Sequence, residues 1–185
     1  MLFRNDLLSA IPAEKAWRRF DMAHISCAII NIKLCKGDAI HMAYDSPIFL
    51  EIIQPMREEL TQIGFQELRT PEAVEQAFEM NPGTTLIVVN SICGCAAGIA
   101  RPAVAAALAQ GPRPDHLVTV FAGQDVEATK KARTYFTNYP PSSPSIGLMK
   151  DGQFLDLIER SQIEGHSTDD VTAQLVAVMQ KHFQQ

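Results

Sequence analysis

The chain has 185 residues, of which 46% are hydrophobic and 20% charged, and a net charge of -5. That length gives one domain with a proper core and is short for two. The acidic balance, without any basic run of motif length, excludes a nucleic-acid surface. No apolar run nears the roughly 18 residues that span a bilayer.

Residues 1–41 differ in character from the rest, with six Lys/Arg against four Asp/Glu, or +2, which leaves -7 for residues 42–185. Ile11 to Phe20 offers a short helix after Pro12. Lys15, Arg18 and Arg19 precede a moderately apolar stretch from Met22 to Leu34, an arrangement loosely like an export signal. Asp21 and His24 interrupt it, and no small-residue cleavage site follows. We read 1–41 as an N-terminal extension added by an upstream start codon, Met42 as the true start, and 42–185 as the folded domain. Four cysteines (Cys27, Cys35, Cys93 and Cys95) are too few for a disulfide scaffold and point to reduced thiols in the cytoplasm.

From Ser46 the pattern is regular. Ser46-Pro47 starts a helix whose apolar positions are Ile48, Leu50, Ile52, Ile53, Met56 and Leu60, and Gly64 ends it. Phe65 to Leu68 reads as a short strand. Thr70-Pro71 opens a second helix that closes near Asn81. The β-branched run 84–90 reads as a buried strand, followed by a helix over about 96–109. Leu117 to Phe121 is the next strand, and Gly123-Gln124-Asp125 leads into a helix reaching Phe136. After a proline-rich approach come a strand from Ser145 to Met149, a tight turn at Lys150-Asp151-Gly152, a returning strand to Ile158 and a last helix from Ser167 to Phe183. Strands alternating with helices imply an α/β fold with a mixed, mostly parallel sheet and an antiparallel hairpin at its edge.

Chemistry concentrates at Cys93-Gly94-Cys95, where the buried strand ends and a helix opens. Free N–H groups and the helix dipole at such a junction favour a thiolate. Cys93, at the junction itself, is the better nucleophile, and Cys95 stands ready to resolve a mixed disulfide. Gly94 eases the close approach of the pair because glycine tolerates strained dihedrals. Two plainer readings compete: a pair of small buried apolar residues, or half of a metal site in a metal or iron carrier. Pro102 either kinks the following helix or marks its true start after Arg101. Pro144 stands before the strand expected beside the thiol strand and is a candidate for a cis bond with Ser143. His116 and His166 could tune a thiol but read more simply as solvated. Gly123-Gln124-Asp125 looks like helix capping at a sheet end where α/β folds place sites. Cys27 and Cys35 are expected to do nothing catalytic.

The segment Val89-Asn90-Ser91-Ile92-Cys93-Gly94-Cys95-Ala96-Ala97-Gly98-Ile99-Ala100-Arg101-Pro102-Ala103 resembles the signature of the bacilliredoxins. So do Val118-Thr119-Val120-Phe121-Ala122-Gly123-Gln124-Asp125, Pro141-Ser142-Ser143-Pro144-Ser145 and Ile163-Glu164-Gly165-His166. The resemblance spans about Met42 to Phe183. It implies a thioredoxin-like fold with Cys93 attacking, Cys95 resolving and Pro144 as a cis-proline beside them, where the Ser143 backbone meets substrate. It further implies reduction of mixed disulfides between client proteins and a low-molecular-weight thiol, bacillithiol. A recycling reductase, no bound cofactor and disulfide isomerisation as a second activity complete the expectation. Residues 1–41 match nothing in that pattern.

Overall fold

The computed structural model describes residues 47–183. The expected N-terminal extension, its helix, Cys27, Cys35 and the Ser46 cap lie outside the described residues. In chain order the elements are α1 (Pro47–Thr61), β1 (Gln66–Glu67), α2 (Pro71–Glu79), β2 (Thr84–Asn90), a π-helical turn (Ala96–Ala100) and α3 (Arg101–Gln110). There follow β3 (His116–Phe121), α4 (Val126–Tyr135), β4 (Ser145–Lys150), β5 (Gln153–Ile158), a 3-10 turn (Arg160–Gln162) and α5 (Thr168–Phe183). Helices and strands follow in the order the sequence implies.

One sheet runs β1-β3-β2-β4-β5. β3 is parallel to both β1 and β2, while β4 is antiparallel to β2 and to β5. Only β4 therefore opposes the common direction, as a mixed, mostly parallel sheet requires. β2 is central, and all seven of its residues are buried. Helices cover both its faces, which is why its sequence is a continuous apolar run and not an alternating one. Leu86 and Val88 pack with Leu60, Ala103, Val104, Leu175 and Met179, a layer built by α1, α3 and α5. Ile87 and Val89 pack with Val74, Phe78, Ala128 and Ala132 of α2 and α4. The period-two alternation of side chains thus feeds two cores from one strand.

Local chemistry sets the joints. Thr70 caps α2, its Oγ1 accepting from the Ala73 N–H at 3.2 Å, and Pro71 follows where its missing N–H costs nothing. Asp151 and Gly152 both take positive φ, 51° and 77°, in the tight turn between β4 and β5. α1 departs from expectation. Its buried positions are Ile53, Arg57 and Leu60, while Ile48, Leu50 and Ile52 are exposed among the described residues. The true buried stripe admits an arginine because two carboxylates meet it there, a pairing that hydrophobic patterning does not register.

Candidate active site

β2 delivers its last residues to the end of the sheet where its parallel neighbour β3 also finishes, the end at which α/β sheets place their sites. Ser91 and Ile92 make the loop, and Gly94 and Cys95 already have helical conformation. Cys93 thus sits at the helix start. Its carbonyl accepts from the N–H groups of Ala96 and Ala97 at 3.1 and 3.2 Å, and its Sγ accepts from the Ala96 N–H at 3.4 Å. The sulfur occupies the place of a capping oxygen. Ser91 Oγ lies 3.2 Å from the same sulfur. Both thiols are free and half-buried.

The two sulfurs are electrostatically unequal. Burial works against ionising Cys93, but the Cys95 thiol, the Ser91 hydroxyl, the Ala96 N–H and the Arg160 charge together hold its pKa below the ordinary thiol value. Cys95 goes the other way: burial, then the Cys93 sulfur as hydrogen-bond partner and as charge, push its pKa up. Arg160 lowers it and Glu164 raises it, so of the two thiols Cys93 is the one that ionises more easily.

Behind the loop, Arg101 is only 3% exposed. Its Nη1 donates to Asn90 Oδ1 at 3.1 Å and to the Ser91 carbonyl at 3.3 Å, and its Nε donates to Glu59 Oε2 at 2.7 Å. Asn90 in turn accepts from the Ser91 N–H at 2.8 Å and donates to the Met56 carbonyl at 3.1 Å. This network fixes Ser91, and Ser91 meets the sulfur. Pro102 stands at the start of α3, directly after the π-helical turn. Gly98 O, the carbonyl that a residue-102 N–H would normally engage, instead accepts from Thr168 Oγ1 at 3.2 Å. The proline is accommodated by a change of helical register and a bond from α5. Gly94 has no positive φ, and an added Cβ would meet nothing within 4 Å. In this reduced form the dihedral argument for Gly94 therefore does not apply.

In front of the loop a cleft of about 340 Å³ is lined by Cys93, Gly123, Gln124, Arg133, Ser143 and Arg160, among others. The Ser143–Pro144 bond is cis. Because Ser145 pairs with Val89, this bond lies beside the end of the thiol strand. Of the Gly123-Gln124-Asp125 segment, Gly123 and Gln124 face the cleft. Asp125 does not cap α4 with its side chain. Its carboxylate instead takes two bonds from Arg57 at 2.9 Å and one from the Phe121 N–H at 3.2 Å. The capping expectation fails because a buried guanidinium outcompetes the helix N–H groups for the same oxygens.

Neither histidine tunes a thiol. His116 Nε2 meets the Pro82 carbonyl at 3.0 Å, and His166 is exposed. The cation that acts on both thiols, as a smaller cause beside their hydrogen bonds, is Arg160, whose Nε and Nη2 bond Glu164 at 2.9 and 3.0 Å and whose Nη1 reaches the Ser143 carbonyl at 3.5 Å. Sequence reasoning missed it. Its one signal is position: a cation two residues after the last strand and four before a glutamate, which only the sheet order brings to the thiols. Among the described residues no group of three His, Cys, Asp or Glu could hold a metal ion.

A family model described as disulphide isomerase matches residues 49–183. The chain is 54% identical over 135 residues to a bacilliredoxin of Bacillus cereus, covering 73% of this chain and 90% of that protein. The chain belongs to the bacilliredoxin family. A second bacilliredoxin, from Geobacillus kaustophilus, is 51% identical over 142 residues, 77% of this chain and 97% of that one. A third, from Symbiobacterium thermophilum, is 54% identical over 136 residues, 74% and 96%. Among solved structures, an oxidoreductase described as having a thioredoxin fold is 17% identical with a TM-score of 0.49, covering 62% of this chain and 95% of that one. Fasciola hepatica thioredoxin is 21% identical with a TM-score of 0.48, covering 64% and 99%. The fold is thioredoxin-like, as the β1-β3-β2-β4-β5 order and the antiparallel hairpin require, and this bacilliredoxin-family chain is an oxidoreductase.

Proposed function

We propose that the chain reduces mixed disulfides between client-protein cysteines and a low-molecular-weight thiol of the bacillithiol type. The observation that carries this reading is the Cys93 sulfur at a helix start, 3.4 Å from the Ala96 N–H and 3.2 Å from Ser91 Oγ, with a second free thiol two residues on; these contacts favour ionisation of Cys93 over Cys95. The Cys93 thiolate attacks the sulfur of the small thiol. A new S–S bond joins that sulfur to Cys93, the old S–S bond breaks, and the client leaves as a thiolate. Cys95, on losing its proton, then attacks Cys93; the two close a disulfide and the small thiol departs reduced. A reductase supplies two electrons to reopen the pair, and no bound cofactor enters. The backbone at Ser143 and Pro144 receives an extended client segment in β fashion. Disulfide isomerisation follows when Cys93 attacks a client's own disulfide and is displaced by another client thiol. The setting is the cytoplasm, and residues 42–185 form the working domain with 1–41 as a dispensable extension.

The bacilliredoxin relatives and the helix-capped sulfur support this reading; a carrier would have to complete its metal site with ligands from elsewhere. The decisive experiment offers a peptide bearing a small-thiol adduct and reads the protein's mass. Cys93→Ser is expected to take up no adduct, and Cys95→Ser to accumulate the adduct on Cys93. Adduct on Cys93→Ser but not on Cys95→Ser reverses the roles. Stoichiometric metal in the purified chain, with no adduct on either variant, replaces the enzyme by a carrier.

A further inference from the structure

The cleft in front of Cys93 holds a cation that, among the described residues, no acidic side chain uses. Arg133 projects from α4 into its lining. Among the described residues its guanidinium makes one hydrogen bond, from Nη2 to the Ser142 carbonyl at 3.2 Å, and no carboxylate pairs with it. Its Nε is buried without a partner, and so is the neighbouring Ser142 Oγ. The guanidinium therefore keeps unused donors in a cleft whose lining it shares with Cys93, a place where an anionic ligand could complete its bonding. Burial also lowers the Arg133 pKa, and no anion among the described residues offsets it. Arg160 adds a second cation to the same lining, though Glu164 already holds one edge of it. Among the described residues none of those lining the cleft is acidic, in a segment (residues 42–185) whose net charge is -7.

A volume of about 340 Å³ suits a small molecule, with the Ser143 backbone at its edge left for the client segment. We infer that this cleft seats a carboxylate of the low-molecular-weight thiol, with Arg133 as its main contact and Arg160 as the second cation. The inference rests on the redox reading above and names the kind of thiol that the site prefers. With the carboxylate held by Arg133, the small thiol's sulfur faces Cys93, and attack falls on that sulfur rather than on the client's. The small thiol moves onto Cys93 and the client leaves reduced. Attack on the other sulfur would trap the client instead, so the seat chooses the productive direction.

The test uses the full chain carrying Cys95→Ser, so that the first transfer is isolated. One peptide is prepared as a mixed disulfide with N-acetylcysteine and, separately, with N-acetylcysteine amide, which differs only in lacking the carboxylate. The expected result is faster transfer from the acid, with Arg133→Gln lowering the acid-to-amide rate ratio about tenfold and Arg133→Lys restoring part of it. An unchanged ratio in Arg133→Gln overturns the seat. A ratio that follows an aspartate placed in the peptide, and not the adduct's carboxylate, also overturns it and assigns the cation to the client. Transfer of neither adduct by the Arg133-containing chain fails the parent redox reading itself. Should Arg133→Gln not fold, salt decides: raising it from about 20 mM to about 500 mM lowers the ratio if the seat is electrostatic. A ratio insensitive to salt refutes it.

Discussion

Two pairs of arginines flank the end of the sheet, and their partners differ. Behind the thiol loop, Arg57 is met by Asp125 with two bonds at 2.9 Å and by Glu67 at 2.5 Å, with its guanidinium 4.9 Å over the Phe121 ring. Arg101 is likewise saturated by Glu59, Asn90 and the Ser91 carbonyl. In front of the loop, Arg160 shares itself between Glu164 and the thiols, and Arg133 has no acidic partner among the described residues. Charge behind the loop is neutralised and holds the scaffold. Charge in front is left partly free, where it can act on a sulfur or a ligand. The same residue type serves structure or chemistry according to whether its hydrogen bonds are already filled.

The largest expected effect breaks the rear group. Arg57→Met would leave Asp125 and Glu67 facing each other largely buried, with only the exposed Arg69 remaining on Glu67. Removing one partner of such a network costs about 3–5 kcal/mol. Chemical denaturation at neutral pH should show that loss. The pH dependence sharpens the point. Burial raises the Glu67 pKa, but its bonds to Arg69 and Arg57 outweigh this and hold it below the ordinary value. Its contribution is therefore present above the unfolded carboxylate pKa and lost as pH falls through the lower folded one. Arg57→Met should show a shallower acid-side loss than the parent chain. A cost below about 1 kcal/mol would mean that the rear arginines are not the scaffold.

The front group should respond in reactivity and hardly in stability. Arg160→Gln removes a cation that lowers the pKa of both thiols and leaves Glu164 to raise that of Cys95. Since the Cys93 pKa lies below the ordinary thiol value, its thiolate persists as pH falls past that value. Without Arg160 the midpoint moves up. Alkylation of Cys93 by a neutral reagent should slow about threefold or more at pH below the parent midpoint and converge with the parent at high pH. Thermal stability should barely change, because exposed ion pairs such as Arg160–Glu164 contribute little. An unchanged alkylation profile would leave the lowering of the Cys93 pKa to the Cys95 thiol, the Ser91 hydroxyl and the Ala96 N–H, the larger causes, alone.

These two groups also show where sequence reading stops. Strand 84–90, the thiol junction and the hairpin turn were legible because each is a local signal: a β-branched run, a capping position, an Asp-Gly turn. The cis bond at Ser143–Pro144 was legible only through the resemblance, since its own residues favour trans. Arg57 and Asp125 are 68 positions apart, and Arg160 lies more than 60 beyond Cys93. Their pairing depends on β1, β3 and β5 lying where the sheet order puts them. The exposed face of α1 was misjudged for the same reason: Ile48 and Ile52 fit an apolar helix pattern as well as Ile53 does, and only the position of the sheet selects Ile53.

The smallest effect lies between the two groups, at Gly94. It occupies the first turn of the helix, has no positive φ, and an added Cβ would find open space. A glycine kept for the folded reduced form should show crowding or a left-handed φ, and this one shows neither. Gly94→Ala should therefore leave the reduced protein intact or raise its stability by about 0.5–1 kcal/mol, the usual gain in a helix. If glycine has a purpose here, it belongs to the oxidised state, where two sulfurs spaced i, i+2 must close a small ring. The measurement is the thermal midpoint of reduced and oxidised Gly94→Ala beside the parent. Stabilisation confined to the reduced form, with a disulfide that forms less readily, would place the glycine's value in the step that links attack to release. Destabilisation of the reduced form would mean that the open space around Gly94 is needed by the fold itself.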